Sequence, residues 1–341
     1  RPRRTSIMPK RFLGNIMTAA PTAPAGNIVN SAASGVWSLA EALSYTKGGL
    51  WPNAANLAPR GLFAAIDQSN NGTYTGIEKI EIGTTGNSTD YGDLSVSRIN
   101  LGSCSSVTRA VFVGGSTVNT MDYVEFSTAG NASDFGDLGN SAAGASAASN
   151  STRGIITRVD DTFYITIAST GNSSTFGNWG ESRAYAGMCS NDTRAVIAGG
   201  ASGQQTMDYV TIATTGSVAS FGSISGIYIR EANGVVSSST RGIFAGGYSS
   251  NSGGQTNKIA YITIASTGNG VDFGDLTVAR SNLASCSSQV RGTFAGGGGS
   301  AKYNTIDYVT IATTGNANDF GDLSINEAGG ITGCSNAHGG L

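Results

Sequence analysis

Six arginines, Arg60, Arg109, Arg153, Arg194, Arg241 and Arg291, each open a short run of residues, at intervals of 49, 44, 41, 47 and 50. After most of them the same text follows. From Arg241 it reads Arg-Gly-Ile-Phe-Ala-Gly-Gly, a polar loop, Tyr-Ile-Thr-Ile-Ala-Ser-Thr-Gly-Asn, then Asp-Phe-Gly-Asp-Leu and a Ser-rich stretch. A chain that repeats a unit of 40–50 residues made of short strands has few ways to bury its apolar faces. Units of this length and content stack as the blades of a β-propeller. The expected class is all-β: a six-bladed ring over residues 60–341, preceded by an N-terminal segment, 1–59.

Within the Arg241 unit, strands are expected at 242–245, 258–265, 272–278 and 283–288. In the second, Tyr261, Thr263 and Ala265 alternate with Ile262 and Ile264, the period of a strand. Thr-Gly-Asn recurs at Thr85-Gly86-Asn87, Ala129-Gly130-Asn131, Thr170-Gly171-Asn172, Thr215-Gly216-Ser217 and Thr314-Gly315-Asn316, and reads as a turn. An aromatic followed by Gly recurs at Tyr91, Phe135, Phe176, Phe221, Phe273 and Phe320. One flat ring per unit suits packing between sheets, and the Gly beside it permits close backbone approach or a bulge. The last unit carries a strand at 329–336, in the register of 283–288, with no unit after it. It is expected to complete the first blade and close the ring, removing two exposed edges.

The pattern resembles the kelch repeat. The residues that carry the resemblance are the doublets Gly114-Gly115, Gly199-Gly200, Gly246-Gly247 and Gly296-Gly297, the third-strand aromatic, and Leu-x-x-x-Arg at Leu94…Arg98 and Leu276…Arg280. The first and third units have Ala64-Ala65 and Thr157-Arg158 in place of the doublet. The resemblance implies a kelch-like propeller over about 280 residues.

The four cysteines follow the same register. Cys104, Cys189 and Cys286 each lie five residues before a repeat arginine, Cys334 sits in the matching place of the final unit, and the other two units carry Ala148 and Val236 there. Cys, Ala and Val exchange at buried apolar positions, so free core thiols are expected rather than disulfides. Without a CxxC, a zinc site has no support.

The N-terminal segment differs in kind. Residues 1–12 carry Arg1, Arg3, Arg4, Lys10 and Arg11 with no acid; 15 basic against 22 acidic residues remain, a balance of −7. A basic tip reads as a solvated tail or as a tether to an acidic surface. Met8-Pro9-Lys10 reads as a translation start, and residues 13–34 as an extended arm. Ser38 and Glu41 form a capping box for one short helix, with Leu39 and Leu43 on a shared face. Gly48-Gly49 and Pro52 end it. Trp37 and Trp51 flank the helix and either pack it against the propeller or anchor it in a neighbouring subunit; with Leu39 and Leu43 they are the candidate anchoring residues. The run from Ser34 to Leu43 followed by Gly49-Leu50-Trp51-Pro52 resembles openings of virion proteins of tailed bacteriophages, notably marine ones. That resemblance implies a tail, fibre or capsid-surface component, made in the host cytoplasm and assembled with other virion proteins through residues 1–59. It also implies a homo-oligomeric or otherwise symmetric assembly, facing a host surface glycan or protein. No apolar run is long enough to span a membrane, so no insertion is expected.

Two loop sets are expected on opposite faces of the ring. The Thr-Gly-Asn turns are uniform, whereas the loops at 67–74, 116–119, 159–162, 201–205, 248–257 and 298–304 vary in length and content. Recognition concentrates in variable loops, and Tyr74, Gln204, Gln205, Tyr248, Lys302 and Tyr303 are the candidate contacts. The repeat arginines admit two readings: pairing with carboxylates or strand-end carbonyls, or an anion site on the axis. Six uncompensated positive charges would repel one another, which favours the first.

Catalysis has little to stand on. There is a single histidine, His338. It cannot furnish a multi-histidine metal centre or a convincing Ser-His-Asp set. Asp160-Asp161 has no identifiable partner, and Asn87…Asp90…Asp93 with its equivalents lacks the dense spacing of a calcium loop. A non-enzymatic protein without metal or cofactor is expected. The alternative function is a free carbohydrate- or protein-binding bacterial propeller module.

Overall fold

Each repeat carries one strand buried on both faces, and that dictates how the units assemble. In Arg109–Val113 every residue after the arginine is buried, and the same holds for Arg194–Ala198, Arg241–Ala245 and Arg291–Ala295. A strand covered on both faces reads as a continuous apolar run and needs a sheet stacked on either side. The outer strands bury little beyond one aromatic, as in Ser133–Asp137 with Phe135. A computed structural model describes residues 58–341, except 68–71, 142, 180, 201–203, 217, 225–233, 250–253, 299–300 and 328. The expected arm and helix, with Trp37, Leu39, Leu43 and Trp51, lie outside the described residues.

The described residues form a six-bladed all-β propeller of six four-stranded antiparallel sheets, with one two-stranded ribbon, Tyr248–Ser249 and Gly254–Gln255. Blade 2 shows the plan: inner strand Gly102–Ser105, then Arg109–Val113, Thr120–Glu125 and outer strand Ser133–Asp137. The inner strands of all six blades line one axial cavity. The Ser-rich strand before each arginine is therefore the inner strand of the arginine's own blade. Ala284–Ser287, expected at 283–288 as the last strand of the Arg241 unit, opens blade 6.

That offset leaves Arg60–Ile66 without an inner partner from its own end of the chain. The strand Thr332–Ser335 fills the place, with Leu62 opposite Cys334. Blade 1 is built from both ends of the propeller sequence, as the register of the repeat implied.

In every blade the aromatic of the outer strand is a bulge. Met121 and Asp122 of the third strand face Gly136 and Asp134, leaving Phe135 as the extra residue. The same register shift recurs in the other five. A bulge sharpens local twist and re-aims a side chain; here it turns the aromatic into the core. Phe135 packs among Val111, Met121 and Leu138 of its own blade and Ile165 of the next.

The glycine after the aromatic sets how closely blades approach. Gly136 has φ 136°, and a Cβ there would lie 2.6 Å from the carbonyl of Gly171 in blade 3. The outer strand of each blade meets the turn of the next in this way, main chain against main chain. Gly136→Ala is expected to destabilise the propeller by about 2 kcal/mol or more, since it combines unfavourable φ with a backbone collision. Gly83→Ala, with open space around it, should stay within about 0.5 kcal/mol. Urea unfolding of the two variants checks both.

Candidate functional site

The repeat arginines hold the ring together. Each guanidinium donates to the carbonyl that opens the turn of the next blade. Arg109 reaches Ile167, Arg153 Ile212, Arg194 Ile264, Arg241 Ile311 and Arg291 Ile82, at 2.9–3.1 Å. Arg60 binds Phe126 in the same way, so the circuit closes. Five of them also stand 4.1–4.5 Å from a ring centroid of their own blade: Tyr123, Tyr164, Tyr209, Tyr261 and Tyr308. Blade 1 has Lys79 at that place, and there Arg60 pairs with Glu81 at 3.0 Å. Arg109 pairs likewise with Glu125. None of the six lines the axial cavity, so the axial anion site is not what these residues build.

The Thr-Gly-Asn turns answer from the other direction. Gly171 donates its N–H to the carbonyl of Phe135 at 2.7 Å, and Asn172 Oδ1 accepts the N–H of Asp137 at 3.0 Å. Asn87, Asn131, Asn269 and Asn316 accept equivalent N–H groups from Asp322, Asp93, Ser223 and Asp275. The asparagines that sequence offered as oxygen ligands are thus spent on blade-to-blade bonds.

On the opposite face a second pattern emerges, with half the frequency. Arg98, Arg183 and Arg280 are fully buried and pair with Asp122, Asp208 and Asp307 on blades 2, 4 and 6. Burial works against the charge of Arg98 and Arg280, and the facing carboxylates offset it. Ser95 and Thr277 complete two of these sites, their hydroxyls donating to Asp122 at 2.7 Å and to Asp307 at 2.6 Å. At the intervening interfaces a cysteine sulfur lies against a glycine instead. A Cβ on Gly154 would lie 2.6 Å from Cys104 Sγ, and one on Gly61 2.8 Å from Cys286 Sγ, while Gly242 faces Cys189. Ion-paired and sulfur-filled interfaces therefore alternate, giving the ring a pseudo-threefold character. The Leu-x-x-x-Arg pattern marks Arg98 and Arg280 in the sequence but not Arg183, because Trp179 stands where the pattern has Leu. The spacing, Trp179…Arg183, was the available signal.

The axis is narrow. Its cavity has a volume of about 60 Å³, room for a few waters. Around it runs a ring of serines. The hydroxyls of Ser105, Ser149, Ser190, Ser287 and Ser335 donate to the carbonyls of Ser335, Ser105, Ser149, Ser237 and Ser287, at 2.6–3.0 Å. At one mouth the residues after the closing strand fold back across the ring. His338 Nε2 lies 3.2 Å from the Ser105 carbonyl and 3.3 Å from Ser149 Oγ, and Nδ1 accepts the N–H of Gly340 at 3.1 Å. Gln289 Nε2 donates to the His338 carbonyl at 2.9 Å. Gly339 sits against the carbonyls of Ser238 and Ser190, and Gly340 against that of Ser149, leaving no room for a Cβ. Nothing in the sequence signalled this contact, since a lone histidine has no repeat to compare with.

The candidate recognition residues lie in the connections between second and third strands, on the face opposite the Thr-Gly-Asn turns, except Tyr303, which opens the third strand of blade 6, Tyr303–Thr310. They fall on four consecutive blades. Gln204 and Gln205 belong to blade 4, Tyr248 to blade 5, Lys302 and Tyr303 to blade 6, and Tyr74 to blade 1. Lys302 is exposed and the others are half-buried. Tyr74 is tied by its main chain, donating to Ser97 Oγ at 3.0 Å and accepting from the Arg98 N–H at 3.2 Å. Tyr248 belongs to the ribbon, opposite Gln255. The Gln204 side-chain oxygen is buried without a hydrogen-bond partner. Residues 68–71, 201–203, 250–253 and 299–300 of these loops lie outside the described residues. Among the described residues no group of three or more His, Cys, Asp or Glu side chains could hold a metal ion.

The chain matches no protein-family model, and no curated protein matches it.

Two measurements test this architecture. Arg280→Met alone should cost about 3–5 kcal/mol by stranding the buried Asp307, while adding Asp307→Leu should recover most of it; a double-mutant cycle in denaturant reads the difference. All four cysteines are free and buried, and burial pushes every thiol well above its ordinary range. Thiolate is the reactive form, so labelling with a thiol reagent should be at least about 100-fold slower in the native protein than in denaturant.

Proposed function

We propose that this chain is a non-enzymatic structural protein of a tailed-phage virion: a tail, fibre or capsid-surface component that displays a kelch-like propeller for attachment or recognition. One observation carries the reading. The bonds that close the ring come from arginines, turn glycines, turn asparagines and inner-strand serines, all at recurring positions of the internal repeat. The loops between second and third strands are largely released from that duty, so their content can vary on a rigid base, which is what a display scaffold requires. The arc of Gln204, Gln205, Tyr248, Lys302, Tyr303 and Tyr74 is the proposed contact region for a host surface glycan or protein. Residues 1–59 are the proposed anchor to other virion proteins, on the strength of their basic tip, capping box and flanking tryptophans.

Deletion of residues 1–59 tests the anchor. The expected product is a folded propeller that is excluded from particles. Incorporation of the truncated chain would overturn the anchoring role. A full-length protein that stays monomeric and binds a defined glycan tightly would point instead to a free binding module.

A further inference from the structure

The residues that follow the closing strand make contacts that ring closure does not need. Thr332–Ser335 already pairs with Arg60–Ile66 and completes blade 1. Beyond it, 337–341 touches blades 2 to 6: Ser105, Ser149, Ser190, Ser238 and Gln289 each come from a different blade. This short segment therefore ties blade 1, to which it is covalently joined, to every other blade, across the mouth of the axial cavity.

We infer that residues 337–341 form an acid-released clasp, in which neutral His338 locks the segment across the axial mouth and protonation of its ring undocks it. The geometry supplies the reason. Nδ1 accepts the N–H of Gly340, so the neutral ring carries its proton on Nε2, which donates to the Ser105 carbonyl. A second proton can go only to Nδ1. There it would face the Gly340 N–H, replacing an acceptor with a donor and breaking the bond that curls the segment. The segment cannot easily shift to accommodate this, because Gly339 and Gly340 are already against the carbonyls of Ser238, Ser190 and Ser149.

Beyond the Ser105 carbonyl, the surroundings offer the cation little compensation. The inner strands packed around His338 bring only buried thiols, Cys104, Cys189, Cys286 and Cys334, besides serines and apolar side chains. The turns between first and second strands carry one charged side chain, the exposed Asp192. The repeat arginines that follow those turns are bound to carbonyls of neighbouring blades. Burial accordingly pushes the His338 ring down to about 4, with the Ser105 carbonyl opposing in part. The docked segment holds its proton less well than the free one, whose ring has the ordinary value of 6.5. Docking is therefore at full strength above pH 6.5 and is lost as pH falls toward 4, weakened about 30-fold at pH 5 and about 300-fold at the acid limit.

His338 is the only histidine, so its ring signals in NMR need no assignment. In the folded full-length protein they should titrate below pH 5. Thermal midpoints measured from pH 4 to 8 should fall for the wild type relative to His338→Gln, which keeps a neutral side chain, and the fall should lie between pH 6.5 and 4. The comparison removes the contribution of carboxylates common to both. A chain ending at Asn336 should melt lower than wild type at pH 7, and the gap should close toward pH 4. Ring signals that titrate near 6.5 in the folded protein would overturn the inference. So would a constant gap between wild type and truncated chain across the range.

Discussion

Main chain meeting main chain between neighbouring blades is the contact on which the rest of the propeller depends. A glycine in each outer strand lies against a glycine in the next blade's turn, with no side chain between them. At that separation the turn can donate its N–H to the outer strand and accept one in return through its asparagine. The same closeness brings the repeat arginine within reach of the next blade's carbonyl. Each of these bonds alone contributes on the order of 1 kcal/mol. Their force comes from repetition round a closed ring, where no interface can open without straining the others.

The ring has a second level of order. Interfaces with a buried Arg–Asp pair alternate with interfaces where cysteine sulfur fills the space left by a glycine. A buried ion pair contributes little net stability over apolar packing but penalises any arrangement that separates the charges. Arg98, Arg183 and Arg280 sit on the crossovers between blades 1 and 2, 3 and 4, and 5 and 6. They pin each crossover to one acidic position and so help fix which blades neighbour which. At the closure between blades 6 and 1 the pattern changes: Glu78 occupies the acidic position and accepts hydrogen bonds from Ser88 and Ser324 rather than facing an arginine.

The two faces thus carry different burdens. The face with the Thr-Gly-Asn turns is committed to holding blades together, and its axial mouth is crossed by the chain itself. The opposite face carries the crossovers, pinned by buried arginines, and the variable loops, and it is in those loops that sequence is freest to change without cost to the ring. The proposed attachment role follows from that division of labour, and the clasp adds a condition under which the closed end of the ring would loosen.

The order of strands, the number of blades, the free thiols and the closure by the last strand were all legible in the residues. Each is written several times in one register: Cys104 beside Ala148 shows a buried small site, and a strand at 329–336 in the register of 283–288 supplies the inner strand that Arg60 lacks before it. What tertiary structure alone decided is where unlike residues meet. Arg60 and the other repeat arginines could have pointed at the axis or at a neighbour, and only the small interblade distance made the carbonyl the partner. Arg183 was hidden by Trp179, and its meaning appears only beside Asp208. His338 has no counterpart in any repeat, so its place in the axial mouth depended on how Gly339 and Gly340 fit among carbonyls of three different blades. Repetition exposes a fold because every unit must satisfy the same packing; a contact made once, between distant parts of the chain, leaves no such trace.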